Sequence, residues 1–221
     1  MTRIMNKDRH SIVRREEDMC HQFQWPSWPQ VQKTLTDLKL PVDFAAFDPS
    51  PWQAGQDVWP DHLVPVLLYQ DHRLQLQVKH WGYKNPFEPQ KVLVNARVER
   101  FYEKQPSLWD DSFARQRCLI LADSFIEISP KRYPGKNGKN YHERVALTRN
   151  DEPVLFIAGI YDQDRFAMVT TQSNETMMPI HSRMPLVLTT AELRRWLFKN
   201  FTSLIDRQGL KLTPTILPHQ Y

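Results

Sequence analysis

The alternation of apolar and polar positions is clearest from residue 63 onward. Residues 64–69 (VPVLLY) form an apolar run, Gln70, Asp71 and His72 interrupt it, and Leu74, Leu76 and Val78 then alternate with Gln75, Gln77 and Lys79. Period two on both sides of a polar break predicts a β-hairpin with one wet face. The pattern recurs at residues 154–161 and 165–171 around the polar turn 162–164, a hint of internal duplication. Residues 117–121 and 125–128 read as strands, and the apolar run 92–94 is followed directly by VNARVE at 94–99, a short charged segment of helical character.

Three helices are expected. Residues 30–40 are helix-compatible. Ser107 and Asp110 resemble an N-cap pair ahead of Leu108, Trp109 and Phe113. Thr189 and Glu192 have capping-box spacing before Leu193, Trp196, Leu197 and Phe201, which share one helix face. The Pro- and Trp-rich stretch 21–60 reads as an irregular segment anchored by its tryptophans. Residues 130–142 (PKRYPGKNGKNYH), basic and broken by Gly and Pro, read as a mobile loop, either solvated or touching a polyanion.

Composition bounds the function more than it names it. The 221 residues are 41% hydrophobic and 24% charged with a net charge of +4, a soluble globular profile in which so small a basic excess is a weak sign of polyanion binding. Seventeen prolines against six glycines favour short extended segments over a helical bundle. Two cysteines, Cys20 and Cys118, are too few for a disulfide framework, and an intracellular, cytoplasmic protein is expected. Residues 1–18 contain no apolar run able to act as a signal or a span, so no membrane partner is expected and the segment reads as a leader outside the body of the chain.

Several polar residues stand where chemistry is possible. Asn95, Arg97 and Glu99 follow a core strand directly, where a chain leaving the interior hands side chains to a cleft. Glu127 lies among Phe125, Ile126 and Ile128, so its carboxylate must either be partnered, an arginine being the simplest partner, or carry a raised pKa. His181 and Arg183, two apart between prolines in PIHSRMP, project to one side of an extended chain; one titrates near neutral pH and the other can clamp a phosphate. Cys118, inside RCLIL, reads as core. Cys20 and His21 are adjacent with no paired ligand spacing after them, so neither a metal nor a cofactor is expected.

MCHQF at 19–23, HWG at 80–82, VNARVE at 94–99, RCLILADSFIE at 117–127, FIAGIY at 156–161, VTTQSN at 169–174 and PIHSRMP at 179–185 occur in one order along most of the chain. Together they resemble the SOS-response-associated peptidase (SRAP) family, the abasic-site processing proteins. The resemblance implies a β-rich α+β single domain over residues 19–221, with barrel-like antiparallel sheets, flanking helices and a cleft for single-stranded DNA. It implies a monomer that crosslinks to abasic sites through a thiazolidine formed by the thiol and α-amine of an N-terminal cysteine. Carried over by motif, Cys20 is the nucleophile, Asn95 orients the reacting groups, Glu127 aids ring opening and proton transfer, and His181 acts as acid or base. Arg97 and Arg183 match phosphate-contacting arginines, and Trp81 an aromatic near the DNA.

The chain departs from the family pattern at His21-Gln22, where Gly-Arg is usual, at Ile128, where an aromatic is usual, and at residues 158–161, AGIY in place of AGLW. Cys20 has a free amine only if translation starts at Met19 or residues 1–19 are removed; the first is the favoured expectation. Two other readings fit the same residues: a thiol peptidase acting on its own leader through Cys20 and His181, and a binding module for single-stranded DNA without catalysis.

Overall fold

A computed structural model describes residues 20–39 and 41–219; the expected leader 1–18 and the proposed start at Met19 lie outside them. In chain order the first elements are β1 (Phe23–Gln24), α1 (Trp28–Asp37), β2 (Val42–Asp43) and β3 (Asp57–Val58). There follow β4 (Leu63–Gln70), β5 (Arg73–Trp81), β6 (Tyr83–Lys84), β7 (Val92–Leu93), β8 (Asn95–Arg97) and α2 (Asp110–Arg115). The second half holds β9 (Arg117–Ala122), β10 (Ser124–Pro134), β11 (Asn140–Thr148), β12 (Leu155–Tyr161) and β13 (Arg165–Gln172). Last come β14 (Arg183–Pro185), β15 (Val187–Leu188), α3 (Leu193–Phe198) and β16 (Thr213–Ile216).

The two expected hairpins, β4–β5 and β12–β13, flank β9 in the order β13-β12-β9-β4-β5, and β13 then pairs with β5 in parallel through Arg165↔His80 and Phe166↔Trp81. The five strands therefore close into a barrel, which removes the edges that an open sheet would expose. Because β9 and β12 are covered on both faces, they read as continuous apolar runs, RCLILA and LFIAGIY, rather than alternating ones. Cys118 is fully buried there, as expected of a core residue. No helix among the described residues is long and apolar enough to cross a membrane.

A second, smaller sheet has the order β16-β11-β10-β1-β3. It packs on the barrel through Phe23, whose ring centroid lies 5.0 Å from that of Trp81.

Four local expectations change. On β5 the buried face switches after Leu76: Val78 is exposed, while Lys79 is buried with Nζ donating to the carbonyls of Gln163 (2.6 Å) and Asp162 (3.4 Å). Closing the barrel brings the β12–β13 turn over that end of the strand, and the long amine satisfies the turn's carbonyls. The VNARVE segment is strand for Asn95–Arg97, paired in parallel with Met168–Thr170, and becomes a 3₁₀ turn only at Val98–Tyr102. The helix expected at residues 30–40 runs over Trp28–Asp37 instead. The expected basic loop is mostly β-hairpin, with Arg132↔His142, Tyr133↔Tyr141 and Pro134↔Asn140 in register. Cross-strand tyrosines and the Asn137-Gly138 turn, with Gly138 at φ +75°, order it despite its polarity.

The capping box is present, Glu192 accepting from the Thr189 N–H (2.8 Å), although only one 3₁₀ turn and the six-residue α3 follow it.

Candidate active site

Pairing of β1 with β10 sets Phe23 opposite Phe125, and the Ile126 N–H donates to the Gln22 carbonyl (2.9 Å). Beyond Gln22 the chain turns, with Cys20 in the left-handed region at φ +27°. That turn directs the Cys20 N–H to Oε1 of Glu127 at 2.9 Å, 107 positions away in sequence. The thiol also interacts with this carboxyl and donates to the Gln22 carbonyl at 3.7 Å. Cys20 and Glu127 are both buried, at 1% and 3% exposure.

Burial sets the electrostatics. It pushes the Glu127 carboxyl up to about 8, against the opposing pull of the N–H groups of Cys20 and Ile128 and of the Cys20 thiol. Burial, and next the nearby Glu127, holds the Cys20 thiol well above its ordinary value. The Glu127 carboxyl, for which an arginine partner was one option, accepts from the backbone N–H of Cys20 instead.

Asn95, Arg97 and Arg183 belong to the barrel sheet, on strands that flank β13. Asn95 is half-buried and follows Val94, whose carbonyl accepts from the Trp81 indole (3.1 Å) and the Met168 N–H (2.9 Å). Arg183 reaches across β13: its two terminal nitrogens grip both oxygens of Glu99 at 3.0 and 2.8 Å, and Nη2 also donates to the Thr170 carbonyl at 3.0 Å. The expected phosphate clamp is thus a bidentate ion pair in this structure, and a phosphate would have to displace Glu99 from it. Arg183 also holds Glu99 below its ordinary range, against the opposing effect of burial.

His181 sits on the turn leading into β14, half-buried. Nδ1 of its ring lies 3.1 Å from the Arg183 backbone nitrogen and 3.3 Å from the Arg183 carbonyl oxygen. This turn is built on Asn174, fully buried: Oδ1 accepts from the Met177 N–H (3.1 Å), and Nδ2 donates to the carbonyls of Leu210 (2.8 Å) and Arg207 (3.3 Å). Asn174 was visible in the sequence only as the end of VTTQSN, and its positioning role needed the fold.

Trp81 requires correction. It has no exposed surface; its ring lies between Phe23 and Phe166, stacked on the latter at 6.3 Å. An indole closed in this way has no face for a base, and closing the barrel is the reason, since Trp81 pairs with Phe166 at the seam.

At the departure from the family pattern, Gln22 is buried and its Oε1 accepts from Nη2 of Arg144 at 2.6 Å. A guanidinium therefore stands beside the cysteine segment, supplied by β11. Among the described residues no group of three His, Cys, Asp or Glu side chains is gathered as a metal ion requires.

The SOS response associated peptidase (SRAP) family matches residues 11–215 of the chain. Abasic site processing protein YoaM of Bacillus subtilis is 27% identical over 208 residues, 88% of this chain and 86% of that protein. Abasic site processing protein YedK of Escherichia coli is 27% identical over 161 residues, 68% and 67% of the two chains. A crystal structure of a Bacteroides thetaiotaomicron protein superposes with a TM-score of 0.69 at 20% identity, over 90% of this chain and 92% of the other. At that identity the superposition establishes the fold, while the family rests on the sequence match: this chain belongs to the SOS response associated peptidase family.

Proposed function

We propose that this protein captures abasic sites in single-stranded DNA as a covalent thiazolidine at Cys20, shielding the lesion during the response to DNA damage. The observation that carries the reading is the 2.9 Å contact between the Cys20 nitrogen and Glu127. It sets the future amine, the thiol and a carboxyl with a raised pKa in one buried group. The matching names of the relatives, abasic site processing proteins, point the same way.

The reaction needs Cys20 as the first residue, so that its nitrogen is an amine; an α-amine has a pKa of about 8, low enough for a useful neutral fraction near pH 7. The amine adds to C1′ of the ring-opened aldehyde. Water then leaves with a proton from the Glu127 carboxyl, which takes the nitrogen's proton in return as the imine forms. The thiol adds to the imine carbon, forming the C–S bond, and its proton ends on nitrogen, for a net loss of one water. A carboxyl that titrates near 8 both gives and takes protons at working pH. We assign Asn95 to orienting the aldehyde oxygen, His181 to exchanging protons with it, and Arg97 to a phosphate of the strand.

The left-handed φ of Cys20 bears on how the amine is freed. For a residue other than glycine this conformation costs about 1–2 kcal/mol. That strain exists only while the peptide bond preceding Cys20 does, so a chain beginning at Cys20 is relieved of it. The same relief favours self-cleavage, in which the thiol takes the acyl group of residue 19 as a thioester that water hydrolyses. This is the second reading.

Protein whose first residue is verified as Cys20 by amino-terminal sequencing is to be mixed with an abasic single-stranded oligonucleotide and run on a denaturing gel. A denaturant-resistant complex is expected with the abasic strand alone, and none with Cys20→Ala. Equal yield on an undamaged strand overturns the proposal.

A further inference from the structure

The β10 strand that carries Glu127 continues outward as an arm. After a bulge between Ile128 and Arg132 it pairs with β11 from Arg132↔His142 as far as Pro134↔Asn140, and residues 135–139 close the turn through Gly135 N–H to Lys139 carbonyl at 2.8 Å. Over residues 129–144 the arm holds Lys131, Arg132, Lys136, Lys139 and Arg144 against one acid, Glu143. That net of +4 equals the net charge of the whole chain, so the remaining residues sum to zero. Lys131, Arg132, Lys136 and Lys139 are all exposed. Among the described residues Lys131, Arg132, Lys139 and Arg144 form no ion pair, whereas Lys33, Arg73, Lys91 and Arg115 elsewhere on the surface each meet a carboxylate.

The arm is braced. The Leu217 N–H donates to the Arg144 carbonyl at 2.9 Å, β16 pairs with β11, and the His219 ring stacks on Tyr133 at 3.4 Å and 5°. Tyr133 also stacks on Tyr141 at 6.0 Å. Arg132 donates to Nε2 of His142 at 3.1 Å, while Nδ1 of that ring faces the Ser129 carbonyl at 2.8 Å. The aromatic faces are thus engaged with one another, and what the arm presents outward is fixed positive charge. Such a surface suits phosphates and reads no base.

We infer that this arm is a second anchorage for the lesion strand, its cations holding backbone phosphates some distance along from the abasic residue. The inference rests on the reading that this residue binds at Cys20 and Glu127. Glu127 and the arm share one strand, so a nucleic-acid chain leaving the site along β10 meets the cations in succession. Seven residues from Glu127 to Pro134 span about 20 Å. An extended single strand sets successive phosphates about 6–7 Å apart, roughly twice the 3.4 Å axial rise of a duplex strand, so that distance is on the order of three nucleotides.

The test uses protein beginning at Cys20 and its triple variant Lys131→Gln, Lys136→Gln, Lys139→Gln, both checked for equal thermal midpoints. Affinity for undamaged single strands of about five and about twenty nucleotides is measured by fluorescence anisotropy across a salt series. For the long strand the variant is expected to lose about 2 from the slope of log affinity against log salt, near 0.7 per charge removed, and to bind on the order of tenfold more weakly at about 0.1 M salt. Returning arginine at the three positions restores both quantities. An unchanged slope on the long strand overturns the inference. Crosslinking to abasic DNA is scored separately: a chain that crosslinks with an arm-independent slope fails the arm alone, and one with an arm-dependent slope that never crosslinks fails the functional reading alone.

Discussion

The nitrogen of Cys20 and the carboxylate of Glu127 meet at 2.9 Å although the chain between them includes the whole β4–β5 hairpin. The meeting is a product of sheet pairing: β1 lies beside β10, and the turn at Cys20 folds its nitrogen back over the strand. A carboxyl whose pKa is raised by burial is a cost to folding once ionised, and that cost gives the first prediction.

Glu127 keeps its proton to about pH 8 in the folded chain and to about 4.5 when exposed. Between these values the folded state binds more protons than the unfolded state, so stability is greatest below the lower value and falls as pH rises through the upper one. In the full chain, Glu127→Gln removes that loss. The variant is expected to be more stable than wild type by a few kcal/mol, about 3–5, at pH 9, and nearly equal to it at pH 4. Urea midpoints at the two pH values check this, and the same substitution in protein beginning at Cys20 is expected to lose crosslinking.

Arg97 and Arg183 are expected to separate by kind of defect. Arg183→Lys gives up the bidentate grip on Glu99 and the Thr170 carbonyl. Because Glu99 is partly open to solvent, the cost is put at only about 1–2 kcal/mol of stability. Arg97→Gln is expected to lower the salt slope of single-strand binding by about 0.7. An unchanged slope in Arg97→Gln would contradict the assignment of Arg97 to a phosphate.

The β4–β5 turn is Asp71-His72, with φ of +51° and +63° between the paired residues Gln70 and Arg73. Two positive φ values make this a type I′ turn, and His is a poor second residue for it. His72→Gly is expected to stabilise the protein by about 0.5–1 kcal/mol, far from the site and with crosslinking unchanged. Thermal unfolding measures the shift.

The hairpins were legible because a strand with one wet face writes period two into its sequence, as Leu74 and Leu76 do. The β10–β11 arm was not, because its order comes from tyrosine stacking and bracing by β16, which a composition of Lys, Gly and Pro hides. Barrel closure was equally invisible: no local signal at Trp81 distinguishes an aromatic at a seam from one on a surface, and the residue is core. At the site, Glu127 stood out as a carboxylate among apolar neighbours, but its partner was out of reach of any local pattern. Arg183 showed a cation without its mate, since Glu99 reaches it only across β13.

The most direct measurement is of the thiol and the amine in the crosslinked product. Protein beginning at Cys20 is reacted with an abasic strand, treated with iodoacetamide in denaturant, digested and analysed by mass spectrometry. The account predicts a Cys20 peptide heavier by the sugar remnant less one water, with the sulfur unalkylated and the amine blocked, because both atoms are in the ring. A crosslinked peptide whose Cys20 sulfur still takes the alkyl group, or an adduct on any other residue, would contradict it.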